Sequence, residues 1–284
     1  MDKCKVISEI CCNHGGDINV AKEMIKMSKL CGADYAKFQK RNPIKAVPAH
    51  VQDKPHPCPM HSFGETYLEH RQNLEFSIEQ HKELKEYCED LGIGYSSSVW
   101  DEDSAREIIS LNPDFIKIPS AMNENYKLLN LVFDNYDGDV HISFGMISKE
   151  SSSKLKDYLY NKNSRIDNRV VVYQTTSSYP VPFESLFLNE IINLKKDFYR
   201  VGYSGHHLGI AADIAAATLG ASWIERHFTL DRTARGTDHS ASLEVNGLQK
   251  LCRDLKAVHK ALQYKKDDFT DDERNNMEKL KIKS

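Results

Sequence analysis

Short runs rich in β-branched and aromatic residues alternate with longer amphipathic stretches along the chain, and this alternation constrains the fold more than any other feature. The runs are Lys5–Ile10, Tyr35–Phe38, Gly94–Ser97, Phe115–Ile118, Val140–Ser143, Val170–Tyr173, Tyr199–Gly202 and Trp223–Phe228. Each reads as a buried strand. Stretches with helical spacing follow, beginning near Asn19, Ile78, Asp101, Tyr126, Lys149, Glu184, Gly209 and Asn246. Between Ile78 and Leu91 the residues Ile78, Leu84, Tyr87, Cys88 and Leu91 share one side, and Gly92 ends the stretch. Asp101 is a fitting N-cap for the next helix. Strand and helix in turn argue for βαβ units and a parallel sheet. Eight units is the number that closes a (β/α)8 TIM barrel, an α/β fold that forms one domain. The rival is a doubly wound open sheet, which would carry a glycine-rich phosphate turn after its first strand. Cys11-Cys12-Asn13-His14-Gly15-Gly16 does not fit that fingerprint, so the barrel is expected.

The expected organisation is a barrel over residues 1–264 and a charged tail over 265–284, either a solvated helix or a frayed end. Lys40–Asn73 stands outside the repeat as a long excursion after the second strand, on the face where barrels carry chemistry. With a formal net charge of −3, the chain shows no basic footprint for nucleic acid and no polybasic membrane anchor. Positive charge for an anionic ligand must therefore be local. The opening residues hold too short an apolar run for a signal peptide, and no stretch approaches the roughly 20 residues of a membrane helix. Seven irregularly spaced cysteines read as reduced thiols. The expected compartment is the cytoplasm.

Barrel chemistry sits where strands end. Glu9 closes the first run, and Lys37 and Gln39 the second. Ser97 and Ser98 end the third, Lys117 and Ser120 the fourth, and Ser143 the fifth. Thr175 to Tyr179 follow the sixth, Ser204 and His206 the seventh, and His227 the eighth. A lone serine after a strand is more often a turn residue than a ligand. Lysines flanked by apolar residues, as Lys37 and Lys117 are, cost much to bury unless they face an anion or a carboxylate. With a rim of serines they suit a phosphate or carboxylate. His206 and His227, on neighbouring strand ends, could share a divalent metal, although a satisfied core histidine is the default for either alone. Asp238 could orient a substrate or serve as an ordinary turn residue. His14, His207 and His239 lie near the same mouth without a further signal. Cys58-Pro59-Met60-His61 resembles half a zinc site without its second pair, and Cys11-Cys12 is too cramped for a simple bridge; both are set aside.

Several of these segments match a known pattern. Ser8-Glu9-Ile10 through Asn13-His14-Gly15-Gly16, Ala33 to Gln39, Phe115 to Ser120, and Ser143-Phe144-Gly145-Met146 are similar to motifs of the sialic acid (N-acetylneuraminate) synthase family. The most specific segments are Val201 to Gly209, Ile224 to Arg232 and Asp238 to Glu244, and the likeness runs to about Leu262. The resemblance implies an enzyme that condenses phosphoenolpyruvate with a sugar aldehyde, N-acetylmannosamine or a related aldose, giving a sialic-acid-like 3-deoxy-2-ulosonic acid and phosphate. It implies that His206 and His227 hold a divalent metal, usually Mn2+, with Mg2+ or Co2+ as alternatives. Lys37, Ser98, Lys117, Ser120, Ser143, Ser177 and Ser204 match positions that hold phosphoenolpyruvate. Gln39, Tyr179 and Asp238 match positions around the acceptor, and Glu9 lies beside the reacting carbons; Glu9, Tyr179 and Asp238 are the expected catalytic group. A homodimer is expected by the same resemblance.

Departures from the pattern are local. Gly205 replaces the usual aspartate, His207 a threonine, Ser98-Val99 a Thr-Pro pair, and Ser177 a common asparagine. Met122 stands where glutamate is frequent, on what is expected to be the sugar side. No counterpart of the family's C-terminal antifreeze-like domain follows Leu262, so the expected closure of the site is by the Lys40–Asn73 excursion, or the acceptor differs. Two other readings of the residues are a Schiff-base aldolase using a strand lysine and an inactive barrel acting as a sugar-phosphate sensor or partner subunit.

Overall fold

The computed structural model describes residues 3–162 and 169–281. Its strands are β1 (Lys5–Glu9), β2 (Tyr35–Lys40), β3 (Gly94–Val99), β4 (Phe115–Ile118), β5 (Asp139–Ser143), β6 (Val170–Thr175), β7 (Arg200–Gly205) and β8 (Trp223–His227). All are parallel, each pairs with the next, and β8 returns to β1 to close the barrel. The expected (β/α)8 architecture is the observed one.

Helices α1 (Ile18–Cys31), α2 (Pro43–Ala46), α3 (Ala49–Gln52), α4 (Tyr67–Leu74), α5 (Ile78–Leu91) and α6 (Glu102–Ser110) belong to the first half of the chain. The second half has α7 (Tyr126–Asn135), α8 (Lys149–Lys162), α9 (Glu190–Asp197), α10 (Ala211–Thr218), α11 (Val245–Ala261) and α12 (Asp271–Leu280). Local signals set their ends. Ser77 and Gln80 form a capping box at the start of α5, and Gly92 ends it in the left-handed region at φ 67°. Leu84 and Cys88 are fully buried there, and Tyr87 and Leu91 pack partly, as expected. His81 joins them unforeseen: its Nδ1 pairs with the Tyr95 hydroxyl at 2.7 Å, while its Nε2 is enclosed without a partner.

Two expectations are corrected and one open choice is decided. The Lys40–Asn73 excursion is not plain loop: it folds into α2, α3, a 3-10 turn at Pro59–His61 and most of α4. The helix expected near Glu184 begins only at Glu190, after a 3-10 turn at Phe183–Ser185, because Phe187 takes a left-handed φ of 49° and interrupts the winding. The end of the tail is a solvated helix, α12, started by a Thr270–Glu273 capping box. Among the described residues no helix is long and apolar enough to cross a membrane.

The main apolar core lies between the helices and the outer face of the barrel, around Phe38, Ile116, Val172 and Ile224. A smaller cluster fills the lumen from below: Ile7, Phe115, Val171, Tyr173 and Trp223, with Tyr35 against it. The excursion is anchored at both ends. Gly16 sits so close to Asn73 that a Cβ would lie 2.2 Å from its carbonyl oxygen. Asp101, buried, caps α6 by accepting from Ser104 N at 2.9 Å and also accepts from Asn42 N at 2.6 Å, tying the β2 exit to α6. Asp101→Ala should therefore lower stability by about 1–2 kcal/mol in urea unfolding, the range of a lost helix cap.

Candidate active site

Side chains alternate between lumen and helix layer along each strand, so register decides which of them meet. Glu9 pairs in register with Lys37 on one side and with His227 on the other. Ser98 pairs with Lys117, and Ser204 with both Thr175 and Glu225. These polar groups lie above the aromatic cluster, where Phe115 stacks on His141 at 3.8 Å and the Tyr173 hydroxyl pairs with His141 Nδ1 at 2.8 Å.

Two cations and two anions interlock on that floor. Lys37 Nζ contacts Glu9 Oε2, donates to Ser98 Oγ at 2.8 Å and lies 3.7 Å from Glu225 Oε2. Lys117 Nζ reaches the same Glu225 oxygen at 3.0 Å and stands 3.6 Å over the Tyr173 ring. Ser204 Oγ donates to the other Glu225 oxygen at 3.1 Å. Exposure is 2% for Glu9 and Lys37, 1% for Lys117 and 6% for Glu225. Burial works against charge on all four, and the partners decide the outcome. Glu225 is brought down to about 2 because Lys117 and Lys37 overcome its burial. Lys37 stays above its ordinary value because Glu225 and Glu9 overcome the same penalty. Burial, reinforced by Lys37, brings Lys117 down to about 8, and burial pushes Glu9 up to about 7 despite Lys37.

At the ends of β7 and β8, beside Glu9 and Glu225, His206 and His227 lie with ring centroids 5.4 Å apart, and the Tyr179 ring packs on both. His206 Nδ1 pairs with the Thr176 carbonyl at 2.8 Å, which leaves Nε2 as the nitrogen with a free lone pair. His227 Nδ1 is enclosed without a hydrogen-bond partner. Burial, with His227 alongside, brings His206 down to about 3, and burial lowers His227 as well, so both rings are neutral. Neutral imidazoles with an unused nitrogen fit a divalent ion.

Twelve of the thirteen residues singled out in the sequence line one cleft of about 90 Å³: Glu9, Lys37, Gln39, Ser98, Lys117, Ser120, Ser143, Ser177, Tyr179, Ser204, His206 and His227. Ser120 and Ser177 come together because position 145 is glycine: a Cβ there would lie 2.6 Å from one hydroxyl and 2.9 Å from the other. The thirteenth, Asp238, joins through Cys11, whose Sγ donates to Asp238 Oδ2 at 2.9 Å. Cys11 and Cys12 are both free thiols, as expected of a pair too cramped to bridge, and the buried Cys11 is set beside the site by this contact. Cys58 and His61 join no trio of metal-competent groups among the described residues. Sequence reasoning missed Glu225, the hub of the charges, and Trp100, which lines the cleft and carries Arg41 over its ring at 4.0 Å. A roomier hollow of about 400 Å³, lined by Lys5, Tyr199 and Trp223 among others, opens at the N-terminal ends of the strands, the end that serves stability in this fold.

The sequence profile of the NeuB family matches residues 24–267. The chain belongs to the NeuB family. It is 40% identical over 261 residues to the N-acetylneuraminate-9-phosphate synthase of Homo sapiens, covering 91% of this chain and 71% of that protein. Identity to the N,N'-diacetyllegionaminic acid synthase of Campylobacter jejuni is 32% over 263 residues, covering 92% and 78%. The crystal structure of N-acetylneuraminic acid (sialic acid) synthetase from Leptospira borgpetersenii, in complex with citrate, superposes with a TM-score of 0.82 at 27% identity, over 98% of this chain and 91% of that one.

Gly205 and His207 are neighbours in space. A Cβ at Gly205 would lie 2.8 Å from the Tyr203 ring and 2.9 Å from the His207 ring, so the two rings together leave no room for a side chain at 205. His207 is fully buried, and its Nε2 accepts from Arg226 Nη1 at 3.2 Å; Arg226 also pairs with Asp213. Met122, expected on the sugar side, packs partly buried against the outer core. The excursion does reach the loop after β8: Gly236 N donates to His61 Nδ1 at 3.2 Å and Arg235 stands 4.8 Å over the Phe63 ring. Glu225→Gln strips the shared counter-charge from two buried ammonium groups. It should cost about 3–5 kcal/mol in denaturant unfolding, the range for breaking a buried ion pair from one side.

Proposed function

We propose that this chain joins C3 of phosphoenolpyruvate to the aldehyde carbon of an open-chain aldose, N-acetylmannosamine-like or a close relative. The products are a sialic-acid-like 3-deoxy-2-ulosonic acid and inorganic phosphate. The observation that carries the reading is the buried Lys37–Glu9–Glu225–Lys117 set with serine hydroxyls around it, a seat for a small, highly charged anion, within a NeuB chain. Relatives named for synthesis of N-acetylneuraminate 9-phosphate, diacetyllegionaminic acid and pseudaminic acid support an acceptor from the acylamino sugars.

In this reading the ammonium groups of Lys37 and Lys117 neutralise the carboxylate and phosphate of phosphoenolpyruvate, and Ser98, Ser120, Ser143, Ser177 and Ser204 donate hydroxyls to them. As the new carbon–carbon bond forms, positive charge develops at C2, water adds there, and the C–O bond to phosphate breaks. Glu9, held near neutrality in its pKa, faces that carbon and takes the proton of the water. Gln39, Tyr179 and Asp238 orient the acceptor, with Tyr179 46% exposed at the mouth. A divalent ion held by His206 and His227 supplies Lewis-acid polarisation of the aldehyde oxygen when bound. Both lysines are ion-paired and protonated, which weighs against a Schiff-base aldolase.

The direct test is phosphate release from phosphoenolpyruvate across a panel of aldoses with divalent ions, with products identified by mass spectrometry. Sugar-dependent release that EDTA abolishes is expected. Silence across the panel from folded protein would shift the assignment to a sensor or partner subunit. Lys117 gives a second test. Its charged form binds the anion and is lost as pH rises through about 8, so kcat/KM for phosphoenolpyruvate should fall above that pH, and Lys117→Met should flatten that limb while lowering kcat/KM throughout.

A further inference from the structure

Cys11 lies just past the end of β1, and its backbone is left-handed, with φ 52°. Residues bearing a Cβ seldom take this conformation, and those that do cluster where function demands it. The thiol is directed at the mouth of the barrel. Its Sγ, a carboxylate oxygen of Asp238 and a ring nitrogen of His227 lie within 4.8 Å of one another. No other such trio of His, Cys, Asp and Glu side chains occurs among the described residues. The three come from the β1 turn, the end of β8 and the loop after it. Asn13 Nδ2 holds those segments together by donating to Phe228 O and Ser242 Oγ, each at 2.9 Å.

A second observation points to a ligand independently of the thiol. His227 is 7% exposed, and its Nδ1 is enclosed with no hydrogen-bond partner. His81 Nε2 and His141 Nε2 are also enclosed without partners, but of the three histidines only His227 belongs to a metal-competent trio among the described residues. Ligand atoms about 2.0–2.3 Å from a tetrahedral ion sit roughly 3.3–3.8 Å apart, so modest side-chain rotations bring the trio onto one ion.

We propose that Cys11 is a protein ligand to the divalent ion, together with His227 and Asp238, and that its sulfur makes the centre selective for Fe2+, Co2+ or Zn2+ over Mn2+ and Mg2+. The inference rests on the metal-dependent reading above and narrows it to a class of ion. Thiolate is a soft donor that favours the first group, whereas Mn2+ and Mg2+ prefer oxygen. On ligation the S–H bond breaks and a sulfur–metal bond forms. The proton passes to solvent, and the Asp238 oxygen that now accepts from Sγ is released to the same ion.

Metal-free protein titrated with Co2+ separates the possibilities by absorbance, because thiolate ligation gives an intense near-ultraviolet charge-transfer band that imidazole and carboxylate do not. The expected result is that band in the wild-type protein and its absence in Cys11→Ser. Co2+ and Zn2+ affinities should be weaker by about tenfold or more, with Mn2+ affinity little changed. Cys11→Gly repeats the measurement with a residue suited to the left-handed backbone, so loss of the band there is not a folding defect. Bound Co2+ with visible ligand-field bands but no charge-transfer band would overturn Cys11 as a ligand and leave the metal-dependent reading intact. Failure of folded protein to bind Co2+, Zn2+ or Mn2+ would overturn both.

Discussion

The Lys37–Glu9–Glu225–Lys117 interlock sets the terms for the rest of the molecule. Four charges almost wholly removed from water are tolerable only if each anion lies against a cation at close range, which requires β1 and β2 at fixed register and β8 held across the lumen from β4. A closed barrel supplies that register and no free edge along which it can slip. The aromatic floor beneath keeps water from the charges on their lower side, and the Tyr173 ring adds a favourable face to the Lys117 ammonium. Apolar side chains in these positions would pack well. Retaining charges there instead makes the upper lumen a place where an incoming anion meets cations already oriented, with little reorganisation left to do.

Much of this was legible in the chain because it depends on short-range pattern. Runs such as Val170–Thr175 and Phe115–Ile118 are long enough and apolar enough to announce buried strands, and a lysine inside one of them stands out against its neighbours. What stayed hidden depends on distance in sequence. Glu225 reads as one more residue on the way to His227, and only the barrel brings it to Lys117, 108 positions earlier. Cys11 and Asp238 are 227 positions apart, so the thiol looked like part of a cramped pair. The short helices α2 and α3 lack the length over which periodicity accumulates; α2 is capped by Asn42, α3 has no side-chain cap, and both pack on α4.

Positions that look independent in the sequence share one space. The rings of Tyr203 and His207 occupy the room a side chain at 205 would need. The buried Arg226 meets His207 and has its acidic partner in Asp213 on α10. This cluster lies in the layer between barrel and helices, on the strand that bears His227. The site-facing side of β8 carries Glu225 and His227 while its reverse side carries Arg226 in a separate polar cluster, a separation that strand alternation makes possible.

The aromatic floor also has a kinetic consequence. Phe115, Tyr173 and Trp223 fill the lumen below the cleft, and the half-exposed Tyr179 marks the door above it. Whatever seats on the buried lysines must enter before anything occupies that door, and must leave after it. A chamber built this way imposes queueing: the deeper ligand is first in and last out, and an excess of the shallower one blocks the route instead of speeding the traffic.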